Sequence, residues 1–264
     1  MKSKLFKGCM WVALLSATIV FMSFLLPQQH ITVYLAGDST MADKEVKTYP
    51  ETGWGMPFHN FFDQSVTVKN IAKNGRSTKS FIAEGLWNQI TDNLNPGDYV
   101  LIQFGHNDEV PTKKTYTTEA EFKANLIRFI TETKAKNASP ILITPVARRK
   151  FGTDGNIQGT HEVYSAIVRT VAAEQNVPLI DLDKQSQALL QKFGPENSKL
   201  LYNHLDVGEN PNYPEGHTDD THFNELGARK MAQIVLNDIK TLNLDLANHI
   251  VKGMNAPAVN PQAK

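Results

Sequence analysis

Four short stretches, far apart in the chain, hold side chains able to make and break bonds: Gly37-Asp38-Ser39, Asn74-Gly75-Arg76-Ser77, Gly105-His106-Asn107-Asp108 and Asp219-Asp220-Thr221-His222. Together they supply a hydroxyl nucleophile, amide donors, an imidazole base and carboxylates. A serine hydroxyl attacks poorly until a base accepts its proton, and a histidine of near-neutral pKa suits that task. A carbonyl under attack develops a negative oxygen, which fixed N–H donors stabilise. Each stretch also has an ordinary reading. Gly-Asp-Ser is a common turn, Asn107 and Asp108 are suited to capping after a strand, and a single histidine often serves a loop. A metal-assisted chemistry is a rival, because His204, Asp206, His217, Asp219, Asp220 and His222 form a ligand-rich stretch. Against it, no His-Glu-x-x-His or similar fixed spacing occurs.

Elements that would position these stretches can be read from periodicity. Strands are expected at Ile31–Ala36, Val66–Asn70, Tyr99–Phe104, Ile141–Thr144 and Pro178–Asp181. The last three are near-continuous apolar runs, as in strands buried on both faces of a parallel sheet. Between them, Glu119–Lys136 places Phe122, Leu126, Phe129, Ile130 and Thr133 on one helical face, with Thr118 and Glu121 as a capping box. Val163–Gln175 carries a weaker stripe of Val163, Ile167, Thr170, Val171 and Glu174. Leu226–Ile239 carries Leu226, Met231, Ile234, Val235 and Ile239. Strand–helix alternation of this kind predicts a three-layer α/β/α sandwich around a mostly parallel five-stranded sheet. In such sheets ligands bind beyond the carboxyl ends of the strands. The first three reactive stretches follow expected strands, and the fourth stands just before the last helix, so all four converge on one rim.

In this order the four stretches resemble the blocks of the SGNH (GDSL-like) hydrolases. The finer text GDSTMA (37–42), GWGMPF (53–58), NGRSTKSF (74–81), PGDYVLIQFGHND (96–108) and DDTHFNELGA (219–228) is similar to the rhamnogalacturonan acetylesterase branch of that family. The resemblance implies a flavodoxin-like strand order and a serine attacking an acetyl ester of a polysaccharide. It places the nucleophile at Ser39, the base at His222 and its orienting carboxylate at Asp219. The oxyanion donors it implies are the backbone N–H groups of Ser39 and Gly75 and the side-chain amide of Asn107. Glycine at 75 suits a backbone that must approach substrate closely. Asp38 and Asp108 read as scaffolding for the loops. Among possible substrate contacts, Arg76 and the run Arg148-Arg149-Lys150 could grip galacturonate carboxylates, Trp54 could stack on a sugar, and His106 neighbours the site. Trp87 reads as core. Acetylated xylan, other O-acetyl sugars and short acyl esters are alternative substrates, and an inactive carbohydrate-binding module is the non-enzyme alternative. No cofactor and no metal is expected.

Composition bounds the setting. The 264 residues hold 27 basic and 27 acidic side chains, 41% apolar and 20% charged residues, which suits a globular chain and disfavours a nucleic-acid binder. Lys2, Lys4 and Lys7 precede an apolar run from Met10 to Leu26. Residues 1–28 therefore read as a signal peptide or an N-terminal membrane anchor, and the protein as exported, to the periplasm or the medium. Removal of that segment would take Cys9, the only cysteine, with it. One catalytic domain is expected over 29–248, as a monomer, followed by a flexible tail over 249–264. Neither a Gly-x-Ser-x-Gly elbow nor a phosphate-cradling P-loop occurs, which disfavours those two folds.

Overall fold

The computed structural model describes residues 30–251. Its centre is a five-stranded sheet of β1 (Ile31–Gly37), β2 (Val66–Asn70), β3 (Tyr99–Gln103), β4 (Ser139–Ile143) and β5 (Leu179–Ile180), in the order β2-β1-β3-β4-β5. Every pairing is parallel, and the order is the flavodoxin-like one. The period-2 alternation of a strand divides the apolar residues between two layers. Val33, Leu35, Leu101, Ile141 and Ile143 face one side; Tyr34, Ala36, Val100, Ile102 and Leu142 face the other. All five residues of β3 are buried, which explains its unbroken apolar text.

The second side is covered by α1 (Thr78–Ala83), α2 (Leu86–Thr91), α3 (Glu119–Ala135) and α4 (Glu162–Glu174), through Phe81, Trp87, Phe122, Phe129 and Val168 among others. The first side is covered by α5 (Leu182–Asn197) and α6 (Glu225–Thr241), through Leu190, Met231, Val235 and Ile239. This is the expected three-layer sandwich. The face expected of α3 is the face it buries, and Thr118 and Glu121 form the capping box. Phe129 sits against Phe81, Trp87 and Phe104, so its truncation to alanine costs about 3–5 kcal/mol. In α4 the stripe is turned by one residue. Val163 is 51% exposed, and Tyr164, Ser165, Val168, Val171 and Ala172 are buried. The Tyr164 hydroxyl donates to the Thr117 carbonyl, a tertiary bond that chooses between two similar faces. Leu226, expected on the core side of α6, is 49% exposed, and Gly227 takes the inward place with its Cα against the Leu201 backbone.

A second unit of sheet pairs β6 (Tyr202–Leu205) with β7 (His217–Phe223) as an antiparallel ribbon with an irregularity at Tyr202/Asn203. The reactive stretch before the last helix thus lies within a strand. The folded part also runs past residue 248. Ile250 bridges to Phe62, and the Val251 N–H donates to the Phe61 carbonyl, so residues 249–251 are docked and do not begin a loose tail. The expectations for 1–28 and for the rest of the tail lie outside the described residues.

Candidate active site

Ser39 stands two residues past β1, where the chain leaves the sheet in a tight turn. The Asp38 carbonyl accepts from the Met41 and Ala42 N–H groups. A Cβ on Gly37 would lie 2.8 Å from the Gln103 carbonyl oxygen and 2.8 Å from the Met41 sulfur, so only glycine lets the turn start this close to β3. Beneath the serine runs a buried chain of hydrogen bonds. The Trp54 indole N–H donates to Gln103 Oε1 (2.6 Å), Gln103 Nε2 to Thr40 Oγ1 (2.7 Å), and Thr40 Oγ1 to Asp38 Oδ1 (2.8 Å). The other Asp38 oxygen faces His106 Nδ1 at 3.4 Å. Burial works against ionisation of Asp38, yet His106 and Thr40 outweigh it and hold the carboxyl at about 2. Asp38 is therefore an anion locked under the turn, as scaffolding requires.

His222 and Asp219 come from β7. Asp219 Oδ1 accepts the Thr221 and His222 N–H groups (2.7 and 3.0 Å), and Oδ2 lies 2.7 Å from His222 Nδ1. Burial alone would raise the Asp219 carboxyl, but the bonds from His222 and Thr221 hold it well below the usual carboxylate range. An ionised carboxylate only accepts, so Nδ1 carries the imidazole proton and Nε2 presents its lone pair. That Nε2 lies 2.9 Å from Ser39 Oγ. Hydroxyl, imidazole and carboxylate are thus linked in one line across residues 183 positions apart.

The two other loops flank this line. After β2, the Lys73 N–H donates to the Gly37 carbonyl, which ties the loop to the serine turn. Lys44, its side chain 1% exposed, pairs with Glu51 and donates to Asn74 Oδ1. Gly75 lies at φ 77°, in the left-handed region that favours glycine. No protein atom comes within 4 Å of where its Cβ would be, so the backbone conformation, and not crowding by the protein, demands glycine there. After β3, Asn107 Nδ2 donates to the Arg76 carbonyl (3.1 Å), which places the carboxamide beside the Gly75 loop. Asp108 accepts from the Thr78 N–H and hydroxyl and so joins this loop to the start of α1. Burial pushes its carboxyl up to about 7, against the Thr78 bonds that lower it.

Of the three expected substrate contacts, Trp54 and His106 are sealed inside, while Arg76 stays on the Gly75 loop. Trp54 is 0% exposed; its ring packs on Phe58 and its N–H is spent on Gln103, so it braces the serine turn and cannot serve as a sugar platform. His106 is 3% exposed, wedged between Asp38 and the His161 ring, and does not reach the surface. The Arg76 guanidinium is bonded to Glu84 through Nε and Nη2, so its charge is already matched. Trp87 is core, as expected. Arg148 and Arg149 brace β7 through Thr221 and Asp220. In the ligand-rich stretch, His204 pairs with Asp220 and His222 with Asp219, and among the described residues no three metal-binding side chains gather. Sequence reasoning missed Thr40 and Lys113, which bond Asp38 and Asn107 from within their own loops, and Gln103 and Thr78, which bond Thr40 and Asp108 from distant parts of the chain.

A parallel sandwich of flavodoxin-like order, with a serine–histidine–aspartate line at its carboxyl edge, is the architecture of the SGNH hydrolases. The chain belongs to the GDSL-like lipase/acylhydrolase family, whose pattern it matches over residues 35–230. It is 42% identical over 222 residues to the rhamnogalacturonan acetylesterase RhgT of Bacillus subtilis, an overlap covering 84% of this chain and 94% of that one. It superposes on the structure of Bacillus subtilis YxiM with a TM-score of 0.71 and 30% identity, over 82% of this chain and 58% of that longer one. The acetylxylan esterase Axe2 of Geobacillus stearothermophilus shares the fold, with a TM-score of 0.57 and 18% identity over 79% of this chain and 94% of that one.

Proposed function

We propose that the protein is a serine esterase that removes O-acetyl groups from acetylated rhamnogalacturonan, the polysaccharide in the name of its 42% identical relative. The observation that carries the reading is the Ser39–His222–Asp219 line, with 2.9 and 2.7 Å links through opposite nitrogens of one imidazole. Ser39 Oγ attacks the acetyl carbonyl carbon while His222 Nε2 takes its proton, and Asp219 stabilises the imidazolium that forms. The carbonyl oxygen, now negative, is held by the N–H groups of Ser39 and Gly75 and by Asn107 Nδ2. Collapse breaks the bond to the sugar oxygen, which leaves with the proton from His222. Water then repeats the sequence on the acetyl-enzyme and releases acetate. Export fits such a polymeric substrate, and Lys2, Lys4, Lys7 and the run to Leu26 support it.

The test is acetate release from a panel of acetylated polysaccharides, with Ser39→Ala as the blank. Rhamnogalacturonan should release acetate faster than acetylated xylan. The activity should survive EDTA and be lost to a serine-directed organophosphonate. Preference for xylan would overturn the substrate, and acetate release by Ser39→Ala would overturn the mechanism.

A further inference from the structure

The Asn107 carboxamide can serve an oxyanion only if its nitrogen, and not its oxygen, faces the reacting carbonyl. Two neighbours decide which end is which. Lys113 Nζ lies 2.9 Å from Asn107 Oδ1, and Asn107 Nδ2 lies 3.1 Å from the Arg76 carbonyl. An ammonium can only donate and a carbonyl can only accept, so either contact would be broken by a flipped amide. The nitrogen carries a second proton besides the one given to Arg76.

Lys113 stands in the connection from β3 to α3, in a turn where its N–H donates to the Val110 carbonyl and its own carbonyl accepts from Tyr116. The same connection is anchored by the Thr117 N–H on the Asp108 carbonyl. Lys113 is exposed, whereas Asn107 is 4% exposed, so the cation reaches inward from a solvated turn to a buried amide. A positive charge on the amide oxygen draws electron density from the nitrogen and strengthens its N–H as a donor. It also places a cation one group behind the oxygen that becomes negative.

We infer that Lys113 is a positioning residue for the ester hydrolysis proposed above, orienting and polarising the Asn107 amide. The inference rests on the assignment of Asn107 to the oxyanion hole. The probe is a neutral aryl acetate, which has no carboxylate for a lysine to attract. Lys113→Met should lower kcat about tenfold with KM and Tm little changed, and Lys113→Arg should restore most of the loss. In an Asn107→Ala background, Lys113→Met should cost nothing further. An unchanged kcat in Lys113→Met overturns the inference, as does a tenfold loss that persists without Asn107. If Asn107→Ala itself hydrolyses the aryl acetate normally, the oxyanion assignment has failed instead.

Discussion

Among the described residues, a serine, a histidine and an aspartate come within hydrogen-bond reach in two places, at opposite ends of the central sheet. At the carboxyl end, Ser39 meets His222 Nε2 and Asp219 meets His222 Nδ1. At the amino end, just before β2, Ser65 Oγ bonds both Asp63 Oδ1 and His249 Nδ1, and Asp63 Oδ2 lies 3.7 Å from that same nitrogen. The residue types are identical and the order differs. In the first, the imidazole stands between hydroxyl and carboxylate. In the second, the hydroxyl stands between carboxylate and imidazole, and its one proton goes to Asp63, which can only accept. His249 Nδ1 must then donate to the hydroxyl, so no imidazole lone pair is aimed at the serine, and the hydroxyl proton rests on a carboxylate whose lowered pKa makes it a poor base. That group is a clasp. It ties the segment after α6 to the sheet, alongside the Asp63 N–H to His249 carbonyl bond. Catalytic capacity lies in which atom faces which, not in which residues are close.

The largest contrast expected concerns the two serines. Ser39→Ala should lower kcat for an aryl acetate by about 10⁴-fold or more while the protein still melts cooperatively. Ser65→Ala should keep kcat within about twofold and lose stability of about 1 kcal/mol, the scale of a turn hydrogen bond. Equal losses of activity in both would erase the distinction between relay and clasp.

The aspartates sharpen it. Asp219→Asn leaves the size of the side chain but allows the wrong imidazole tautomer, and a fall in kcat of about 10³–10⁴ is expected. Asp63→Asn should leave kcat alone and show only in a urea or thermal melt.

The smallest effect is one of pH, and it belongs to the catalytic end. Burial and the neighbouring His161 hold His106 down at about 4, against 6.5 for the free side chain. Between those values the unfolded chain binds the proton and the folded chain does not, so the His106 contribution to stability falls as pH drops from 6.5 towards 4, while Asp108, raised to about 7, contributes in the opposite sense. Relative to wild type, His106→Gln should gain Tm as pH drops across that window, because the destabilisation on acidification that His106 contributes is absent. Ser65→Ala should keep the wild-type slope there, because the carboxyl it touches, Asp63, is held below its ordinary 3.8 by Ser65 and titrates under the window. A His106→Gln profile parallel to wild type would show that the imidazole titrates normally in the fold.

Much of the scaffold was legible before any coordinates. β2 occupies the expected five residues, and the buried face of α3 is the expected one, because a strand or a strongly striped helix announces its period locally. The weaker stripe of α4 was misplaced by one residue, and α1, α2 and α5 were not anticipated. The first two are short, and the buried face of α5 sets Asp183 and Ser186 beside Leu182 and Leu190, so its apolar stripe is interrupted. Helix ends carried an unused signal: Asn137, Asn176 and Asn243 each adopt positive φ just past α3, α4 and α6. At the site, the structure brings Ser39, His222 and Asp219 together, and Asp38 and Asp108 brace the loops as their positions suggested, while Thr40, Gln103, Thr78 and Lys113 were not read. Trp54 drew attention as an aromatic near the motif, yet its partner Gln103 lies 49 residues away.

By itself the sequence determined the sheet, its strand order by resemblance, and the set of side chains delivered to its carboxyl edge. Those follow from hydrophobic period and from loop position, which are properties of neighbours along the chain. Tertiary structure alone decided that Ser39 faces Nε2 while Ser65 faces Nδ1, that Trp54 and His106 are sealed inside, and that Lys113 turns the Asn107 amide. Each of those depends on tenths of an ångström between side chains, most of them remote in sequence and Lys113 and Asn107 six residues apart, and such distances exist only once the packed layers have fixed them.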